Sequence, residues 1–457
     1  MPKKRQHYDK KKIVKSNNIS TSNQERSVYY IRKIQEAEKP KNKQNINQFN
    51  EQINTLKSKQ SLAQANNNPK PRYTNNKNQS VFNKTLRNNL IGSLNTKARY
   101  SNGTIGLSNF GNICYFNSAI QNLKNVYLLT EYLLSSYLDF NMDGFACKYC
   151  KLLSNLINQD KYQYTESREL FFKLSEIAPI FRFGEQNDSN FCIIYILNLL
   201  EKETRKHYPK QKMFKEIKTY GYFSKKEEEI FNKYQKRLYE KRNSPIIEYF
   251  YGFQEDIFKC KNCQYEGISF QGISVLNLSI MKHNYNKIKT IEEAISYYQE
   301  EQNHFNEKEF ICPKCLLNKI ITQTKIISLP KVLIINFKRI GEKDFYNHNV
   351  QVQNILEMEN LIMNKNYSNY KYELIGFIKH IGGANSGHNI AICKNFFDNI
   401  WYSYNDSSVL SINNSKYISN SEIDKSNGFL FFYKKIGEDI TEETKNLIID
   451  KSAEIRK

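Results

Sequence analysis

Two Cys-x-x-Cys pairs constrain the fold of this chain more strongly than any other feature of its sequence. Cys260 and Cys263 form the first pair, and Cys312 and Cys315 form the second, with 48 residues between the pairs. Four thiolates suit tetrahedral zinc, and four protein ligands leave no open position for catalysis, so such a site is structural. The gap exceeds the roughly 15–20 residues of a compact zinc ribbon. We therefore expect the pairs to cap two hairpins of an extended subdomain that holds one Zn2+ per chain; two unrelated thiol pairs are the alternative.

Four further cysteines carry no comparable signal. Cys147 and Cys150 form a third such pair, but this pair has neither a partner pair nor a nearby histidine. We expect both residues to pack in the core. Cys192 and Cys393 lie within apolar runs and are also expected in the core.

The ninth cysteine, Cys114, lies where the sequence predicts the start of a helix. Turn-forming residues crowd its upstream side, and the downstream residues Phe116, Ala119, Ile120 and Leu123 fall on one helical face. The positive end of a helix dipole stabilises a thiolate there. A lone buried cysteine is more often a small core residue, so the prediction of a nucleophile needs a second signal.

That second signal is a histidine far along the chain. Two apolar runs flank a glycine-rich turn, residues 382–387, which predicts a hairpin whose second strand begins at His388. The following strand ends in Asn405 and Asp406, either of which can orient His388 through a ring N–H. A thiolate nucleophile needs such a base and such an orienting group. The order cysteine, histidine, Asn-Asp therefore favours nucleophilic catalysis by Cys114.

Both segments resemble motifs of the ubiquitin-specific proteases, a family of deubiquitinating cysteine proteases. The family's Cys box, Gly-Leu-x-Asn-x-Gly-Asn-Thr-Cys-Tyr-x-Asn-Ser, matches residues 106–118, with Ile113 in place of Thr. Its His box, Tyr-x-Leu-x-x-x-x-x-His-x-Gly followed by Gly-His-Tyr, matches residues 372–388, with Asn389 in place of the final Tyr. The similarity extends over about residues 105–435.

The resemblance implies a role for each matching residue. Cys114 is expected to be the nucleophile and His388 the base, oriented by Asn405 or Asp406. Asn109 is expected to supply an oxyanion-hole side chain beside the backbone N–H of Cys114. Such a donor commonly contributes about 3–4 kcal/mol. The implied activity is hydrolysis of the bond between the C-terminal glycine of ubiquitin and a substrate lysine, with ubiquitin and ubiquitinated proteins as partners.

A third family motif departs further from its usual form. The family carries Gly-x-Gln-x-Asp-x-x-Glu-Phe, and this chain keeps Gln186 and Asp188 but has Phe191 where the family has Glu. The family uses these acids to hold the basic tail of ubiquitin, so Gln186 and Asp188 are expected to bind substrate. Phe191 leaves open a protease for another ubiquitin-like modifier. A catalytically silent ubiquitin-binding scaffold is a further alternative.

The order of elements predicts an α+β fold, because helical patterns come first and strand patterns follow from Ile246–Phe258 onward. The resemblance implies a papain-like cysteine protease with a helical thumb, a β palm and zinc-binding fingers. We expect the catalytic domain at residues 101–437, with the fingers at about 250–325. Residues 438–457 read as a charged C-terminal tail.

Most of the net charge of +22 lies outside this predicted domain. Residues 1–100 hold 22 Lys/Arg against 5 Asp/Glu, together with 27 Asn/Gln. Such a segment cannot bury enough apolar surface to offset its chain entropy, so we expect a disordered tail. Nucleic-acid binding is expected only through this tail, if its lysine clusters are more than a solvated surface.

The sequence also limits where the chain is expected to act. It begins with a Lys/Arg cluster rather than an apolar signal region, and no apolar run approaches the roughly 18 residues needed to cross a bilayer. We expect no membrane association and a reducing compartment, the cytoplasm or the nucleus.

Overall fold

The computed structural model describes most of the chain after residue 101. The described residues are 102–158, 163–209, 217, 222–305, 311–339, 346–362, 370–383, 387–412 and 427–457. The basic segment 1–100 lies outside them, so its disorder stays a prediction. Within the described residues, no helix combines the length and the apolar composition needed to cross a bilayer.

Helices dominate the first part of the described chain, and most of the helices pack around one apolar core. Their buried faces include Phe116, Phe145 and Phe171, which are all fully buried. The helices are α1 (Cys114–Lys124), α2 (Tyr127–Ser135), α3 (Phe145–Ile157), α4 (Arg168–Ile177), α5 (Ser189–Thr204), α6 (Lys225–Arg242), α7 (Pro245–Phe250), α8 (Ile291–Gln299) and α9 (Glu442–Arg456).

The expected strand Ile246–Phe258 is wrong in its first part. Residues 245–250 form the short helix α7, and the strand begins only at Gly252. Ser244 caps α7 by accepting a hydrogen bond from the backbone N–H of Ile247, and Pro245 stands at the first helical position. Proline fits there because its missing N–H would have no partner inside the helix.

The strands form two larger sheets and one short parallel pair. The strands are β1 (Gly106–Leu107), β2 (Tyr164–Thr165), β3 (Gly252–Cys260), β4 (Glu266–Ile273), β5 (Leu276–Ser279), β6 (Gln302–Phe305), β7 (Lys319–Ser328), β8 (Val332–Lys338), β9 (Ile355–Glu357), β10 (Lys371–Gly382), β11 (Gly387–Lys394), β12 (Trp401–Asn405), β13 (Ser408–Ile412) and β14 (Gly428–Lys435). The palm sheet has the order β13-β12-β11-β10-β14-β8-β5, with β9 beside β10, and the second sheet has the order β4-β3-β7-β6.

The second sheet forms the fingers and ends at the cysteine pairs. Helix α6 covers this sheet with Phe231, which packs on Phe253 and Phe270. Helices followed by mainly antiparallel strands confirm the α+β class, with a helical thumb, a β palm and fingers.

Helix α9, Glu442–Arg456, lies within the predicted charged tail, residues 438–457. Ile448 is 1% exposed and packs in the thumb core. Asn158, at the end of α3, donates a hydrogen bond to Ser452 Oγ at 2.6 Å. Lys445 Nζ donates to the backbone oxygen of Phe397, in the loop between β11 and β12. This helix therefore contacts both the thumb and the palm.

Candidate active site

Cys114 is the first residue of α1 and is 5% exposed. The loop before it wraps around Asn109, whose Oδ1 accepts hydrogen bonds from the backbone N–H groups of Gly111 and Ile113, both at 3.2 Å. Asn112 takes a left-handed conformation with φ of 54°, which asparagine tolerates better than most residues. The turn-forming residues before Cys114 therefore present its thiol at the N-terminus of the helix, as predicted.

His388 lies near the start of β11, opposite Ile381 of β10. Its Nε2 is 2.6 Å from Asn405 Oδ1 and 3.7 Å from Asp406 Oδ2. The side chain of Cys114 acts on the same ring and favours its protonation. Since Nε2 faces Asn405, Nδ1 is the nitrogen left for the thiol. The structure thus brings together the predicted nucleophile, base and orienting residues.

The surroundings of His388 favour its protonated form. The interaction with the side chain of Cys114 is the largest cause, and the surroundings together raise the pKa of His388 to about 9. Partial burial opposes this rise, whereas the hydrogen bond with Asn405 and the charges of Asp406 and of an ionised Cys114 add to it. An imidazolium beside a thiolate is the charge arrangement that a cysteine nucleophile needs.

Asp406 is held in place by two asparagine side chains. Asn117 Nδ2 donates to Asp406 Oδ1 at 2.8 Å, and Asn109 Nδ2 donates to Asp406 Oδ2 at 2.9 Å. Asn109 therefore uses one amide N–H on Asp406, and an asparagine amide has only two. At most one N–H of Asn109 is left for an oxyanion, so the predicted oxyanion role depends on that second N–H.

Gly106 allows β1 to approach the turn that carries Asp406. A Cβ atom at Gly106 would lie 2.6 Å from the backbone oxygen of Ser407, closer than real Cβ contacts. The neighbouring Leu107 N–H donates to the backbone oxygen of Asp406 at 2.9 Å. The first glycine of the Cys box therefore allows a close backbone contact with the turn of Asp406, which lies 300 residues later in the chain.

Asn389, which replaces the tyrosine of the family motif, makes a polar link of its own. Its Oδ1 is 2.7 Å from His380 Nδ1, and its Nδ2 donates to Ser189 Oγ at 3.0 Å. Ser189 is the first residue of α5. Asn389, the residue after His388, thereby links the β10–β11 hairpin to the start of α5.

The two residues expected to bind substrate lie between the thumb and the palm. Gln186 Nε2 donates to the backbone oxygen of Gly387 at 3.0 Å, directly before His388. Asp188 is the N-cap of α5, where its Oδ1 accepts from the backbone N–H groups of Asn190 and Phe191. Asp188 therefore has a structural role in addition to the expected one, and contact of either residue with substrate stays a prediction.

Phe191 is half-buried within a small aromatic cluster. Its ring centroid lies 5.5 Å from that of Phe181 and 6.2 Å from that of Tyr195. Phe181 is fully buried. The departure from the family's Glu thus exchanges a carboxylate at the start of α5 for an aromatic contact with the thumb core.

Sequence reasoning missed Asn117 as a site residue, although it lies inside the quoted Cys box. The available signal was its position, three residues after Cys114 on α1, which places both side chains on neighbouring faces of the first turn. Asn117 is 2% exposed, and a buried amide must satisfy its hydrogen bonds. Its partner Asp406 is 289 residues away, so no local pattern identifies the pair.

The four cysteines of the two Cys-x-x-Cys pairs meet at the end of the fingers. Cys260 Sγ lies 3.6 Å from Cys315 Sγ, and Cys263 Sγ lies 3.6 Å from Cys312 Sγ. All four sulfur atoms are within 4.8 Å of one another. This spacing is suited to one metal ion held by four thiolates.

The two pairs also share one backbone geometry. The residue after each pair, Gln264 or Leu316, has a positive φ of 55° or 59°. Its N–H donates to the backbone oxygen of the first cysteine of its own pair, Cys260 or Cys312, at 2.9 Å. Each pair thus forms the same tight turn, which aims two sulfur atoms at one point.

Comparison with known proteins places these observations in a family context. The family model described as ubiquitin carboxyl-terminal hydrolase matches residues 105–433. Ubiquitin carboxyl-terminal hydrolase 2 of Bos taurus is 24% identical over 354 residues, which cover 75% of this chain and 56% of that protein. Ubiquitin carboxyl-terminal hydrolase 4 of Arabidopsis thaliana is 25% identical over 364 residues, which cover 73% of this chain and 93% of that protein.

A solved structure shares the fold. The SAGA Ubp8/Sgf11/Sus1/Sgf73 DUB module bound to ubiquitin aldehyde contains a chain that aligns with a TM-score of 0.54 at 20% identity. The alignment covers 78% of this chain and 75% of that chain. At this identity the likeness concerns the fold. The chain also spans only a little over half the length of the bovine relative.

Proposed function

Because the chain belongs to the ubiquitin carboxyl-terminal hydrolase family, we propose that it is a thiol-dependent deubiquitinase. It hydrolyses the isopeptide bond between the C-terminal glycine of ubiquitin and a substrate lysine. The observation that carries this proposal is that the Cys114 side chain, at the start of α1, acts on the ring of His388, whose Nε2 lies 2.6 Å from Asn405 Oδ1. Each of the three positions holds a residue chemically able to do its part.

In this mechanism, the Cys114 thiolate attacks the carbonyl carbon of the terminal glycine, and the carbonyl electrons move onto oxygen. The backbone N–H of Cys114 and the second amide N–H of Asn109 are the candidate donors to that oxyanion. The His388 imidazolium gives its proton to the lysine amine as the C–N bond breaks, which leaves a thioester on Cys114. Neutral His388 then takes a proton from water as the water attacks the thioester, and the thiolate leaves.

We also propose that Cys260, Cys263, Cys312 and Cys315 hold one structural Zn2+. Zn–S bonds of about 2.3 Å in a tetrahedron put sulfur atoms about 3.8 Å apart, close to the 3.6 Å of the two cross-pair contacts. The ion supplies folding free energy to the fingers and takes no part in the reaction, because all four positions are protein ligands.

The proposed function is tested with a fluorogenic amide on the C-terminus of ubiquitin, run beside matched reporters of other ubiquitin-like modifiers. Turnover of the ubiquitin reporter with clear preference over the others is expected. Turnover of a different modifier only would assign the chain to that modifier. Tight ubiquitin binding with no turnover of any reporter would make the chain a silent scaffold.

The rate of the reaction should fall at alkaline pH, where His388 loses its proton. Since the fold raises the pKa of His388 to about 9, the imidazolium that protonates the leaving amine is present below that pH and lost above it. The alkaline limb of kcat/KM for the ubiquitin reporter is therefore expected near pH 9. Asn405→Ala removes a hydrogen bond that favours the imidazolium, so this limb should move to lower pH. A wild-type limb near 6.5, or no shift in the variant, would contradict the assignment.

Phe191 tests how the site holds the modifier's tail. If Asp188 is the only carboxylate of this motif that binds the basic C-terminal tail of the modifier, Phe191→Glu adds a second one. It should then raise kcat/KM by up to about tenfold, the effect of a partly exposed charged pair. The contact of Phe191 with buried Phe181 favours the competing result, in which the glutamate costs thermal stability. Kinetics and thermal unfolding of Phe191→Glu and Asp188→Lys separate the two. A stable Phe191→Glu protein with no gain in kcat/KM, together with an Asp188→Lys protein with no loss in kcat/KM, would show that this motif does not bind the tail.

We place this activity in the cytoplasm or nucleus, where free thiols persist. All described cysteines, including the proposed nucleophile, are free of disulfide bonds. Residues 1–100 remain a proposed disordered, basic segment, and any nucleic-acid contact is proposed only there.

A further inference from the structure

Ser167 stands at the N-cap position of α4 but does not cap that helix. A serine at this position normally accepts a hydrogen bond from a backbone N–H of the first turn. Ser224, Ser244 and Thr290 do so for α6, α7 and α8, whereas the side chain of Ser167 makes no such bond. Ser167 Oγ instead donates to Asn117 Oδ1 at 3.0 Å.

The bond from Ser167 decides which end of the Asn117 amide faces the active site. Because Oδ1 accepts from Ser167, Nδ2 points to Asp406 Oδ1 at 2.8 Å. The same Nδ2 lies 3.4 Å and 3.3 Å from the backbone oxygens of Leu107 and Ser108. A reversed amide would set an oxygen against three other oxygens, so one orientation is strongly favoured.

We propose that Ser167 is a positioning residue for the catalytic pair, acting through Asn117 on the carboxylate of Asp406. Ser167 and Asn117 are 1% and 2% exposed, so water does not compete for their bond. Asp406 in turn accepts from Asn109 and lies 3.7 Å from His388 Nε2. The chain of bonds joins α4 to α1 and to the turn after β12. It thereby fixes the negative charge next to His388 from outside the substrate cleft.

This role predicts an effect on chemistry rather than on substrate affinity. The titratable groups that act on His388 are Cys114, on α1, and Asp406, in the turn after β12. If Asp406 loses its fixed position, the imidazolium loses part of its support and proton transfer suffers. Ser167 itself is buried and is not expected to touch ubiquitin.

The test compares Ser167→Ala with two further variants of α4. In Ser167→Ala, kcat for the ubiquitin reporter should fall about tenfold, the effect of one buried hydrogen bond, with KM unchanged. The rise of Cys114 alkylation by iodoacetamide with pH should move to higher pH, because an imidazolium with less support stabilises the thiolate less. Ser167→Thr keeps the hydroxyl and should restore both readouts. Ser175→Ala removes another buried hydroxyl of α4, one that bonds the backbone oxygen of Phe171, and should change neither readout.

Unchanged kcat and an unchanged alkylation profile in Ser167→Ala would overturn the inference. An equal loss in Ser175→Ala would assign the effect to α4 packing and overturn it as well. If Ser167→Ala does not fold, Ser167→Gly removes the hydroxyl with a residue that N-cap positions accept. The inference rests on the proposed function for its kinetic readout. Alkylation needs no ubiquitin, however, so its result stands even if the ubiquitin reporter is not cleaved.

Discussion

Cys114→Ala should abolish turnover of the ubiquitin reporter, with a loss of about a millionfold or to the detection limit. The reason is that no other group replaces the bond between sulfur and the glycine carbonyl. His388→Ala should lose activity almost as completely, because a nucleophile and its base act as one unit. Steady-state kinetics with the fluorogenic reporter measures both losses, and binding of ubiquitin to Cys114→Ala should survive.

A second thiol gives the matched control. Cys147 is fully buried on α3, away from the described contacts of His388. Cys147→Ala should therefore retain turnover, apart from a modest loss of stability. Substantial turnover by Cys114→Ala or His388→Ala, with folding intact, would contradict the mechanism.

Cys260→Ser and Cys312→Ser should each eliminate bound zinc and unfold the fingers. Structural zinc binding is itself folding free energy, with apparent values of about 10–16 kcal/mol in zinc-finger peptides. Metal analysis of the wild-type protein should find one zinc per chain, and a strong chelator should lower its thermal stability. Limited proteolysis of the two variants should locate the loss between residues 250 and 325.

The third Cys-x-x-Cys pair provides the control for the metal site. Cys150 is fully buried on α3, where its Sγ donates to the backbone oxygen of Leu133. Cys150→Ala should keep the full zinc content. A wild-type protein without zinc, whose unfolding temperature is the same with and without chelator, would contradict the zinc assignment.

The sequence predicted those parts of the site that depend on local chain geometry. The start of α1 at Cys114 is confirmed, because turn formers before it and an apolar face after it act within a few residues. The hairpin of β10 and β11 is also confirmed, because the two apolar runs that predict it are close together in the sequence. Each cysteine pair is a local turn, and the expected position of the pairs at the ends of two hairpins, β3–β4 and β6–β7, is confirmed.

The parts that could not be predicted depend on contacts between distant segments. The apolar residues after Ile246 suit a strand as well as a helix. The helix forms here because Ser244 caps its N-terminus. Helix α9 is rich in charged residues. The packing of Ile448 in the thumb core could therefore not be predicted from its composition. The bond from Ser167 to Asn117 crosses 50 residues, and the serine's position suggested an ordinary helix cap.

One measurement tests the central claim most directly: the reaction of the full chain with ubiquitin that carries a C-terminal electrophile. The account predicts a one-to-one covalent adduct, with peptide mass spectrometry locating the modification on Cys114. Cys114→Ala should give no adduct, and Cys147→Ala should react like the wild type. A folded wild-type protein that forms no adduct, or one modified at a cysteine other than Cys114, would contradict the account.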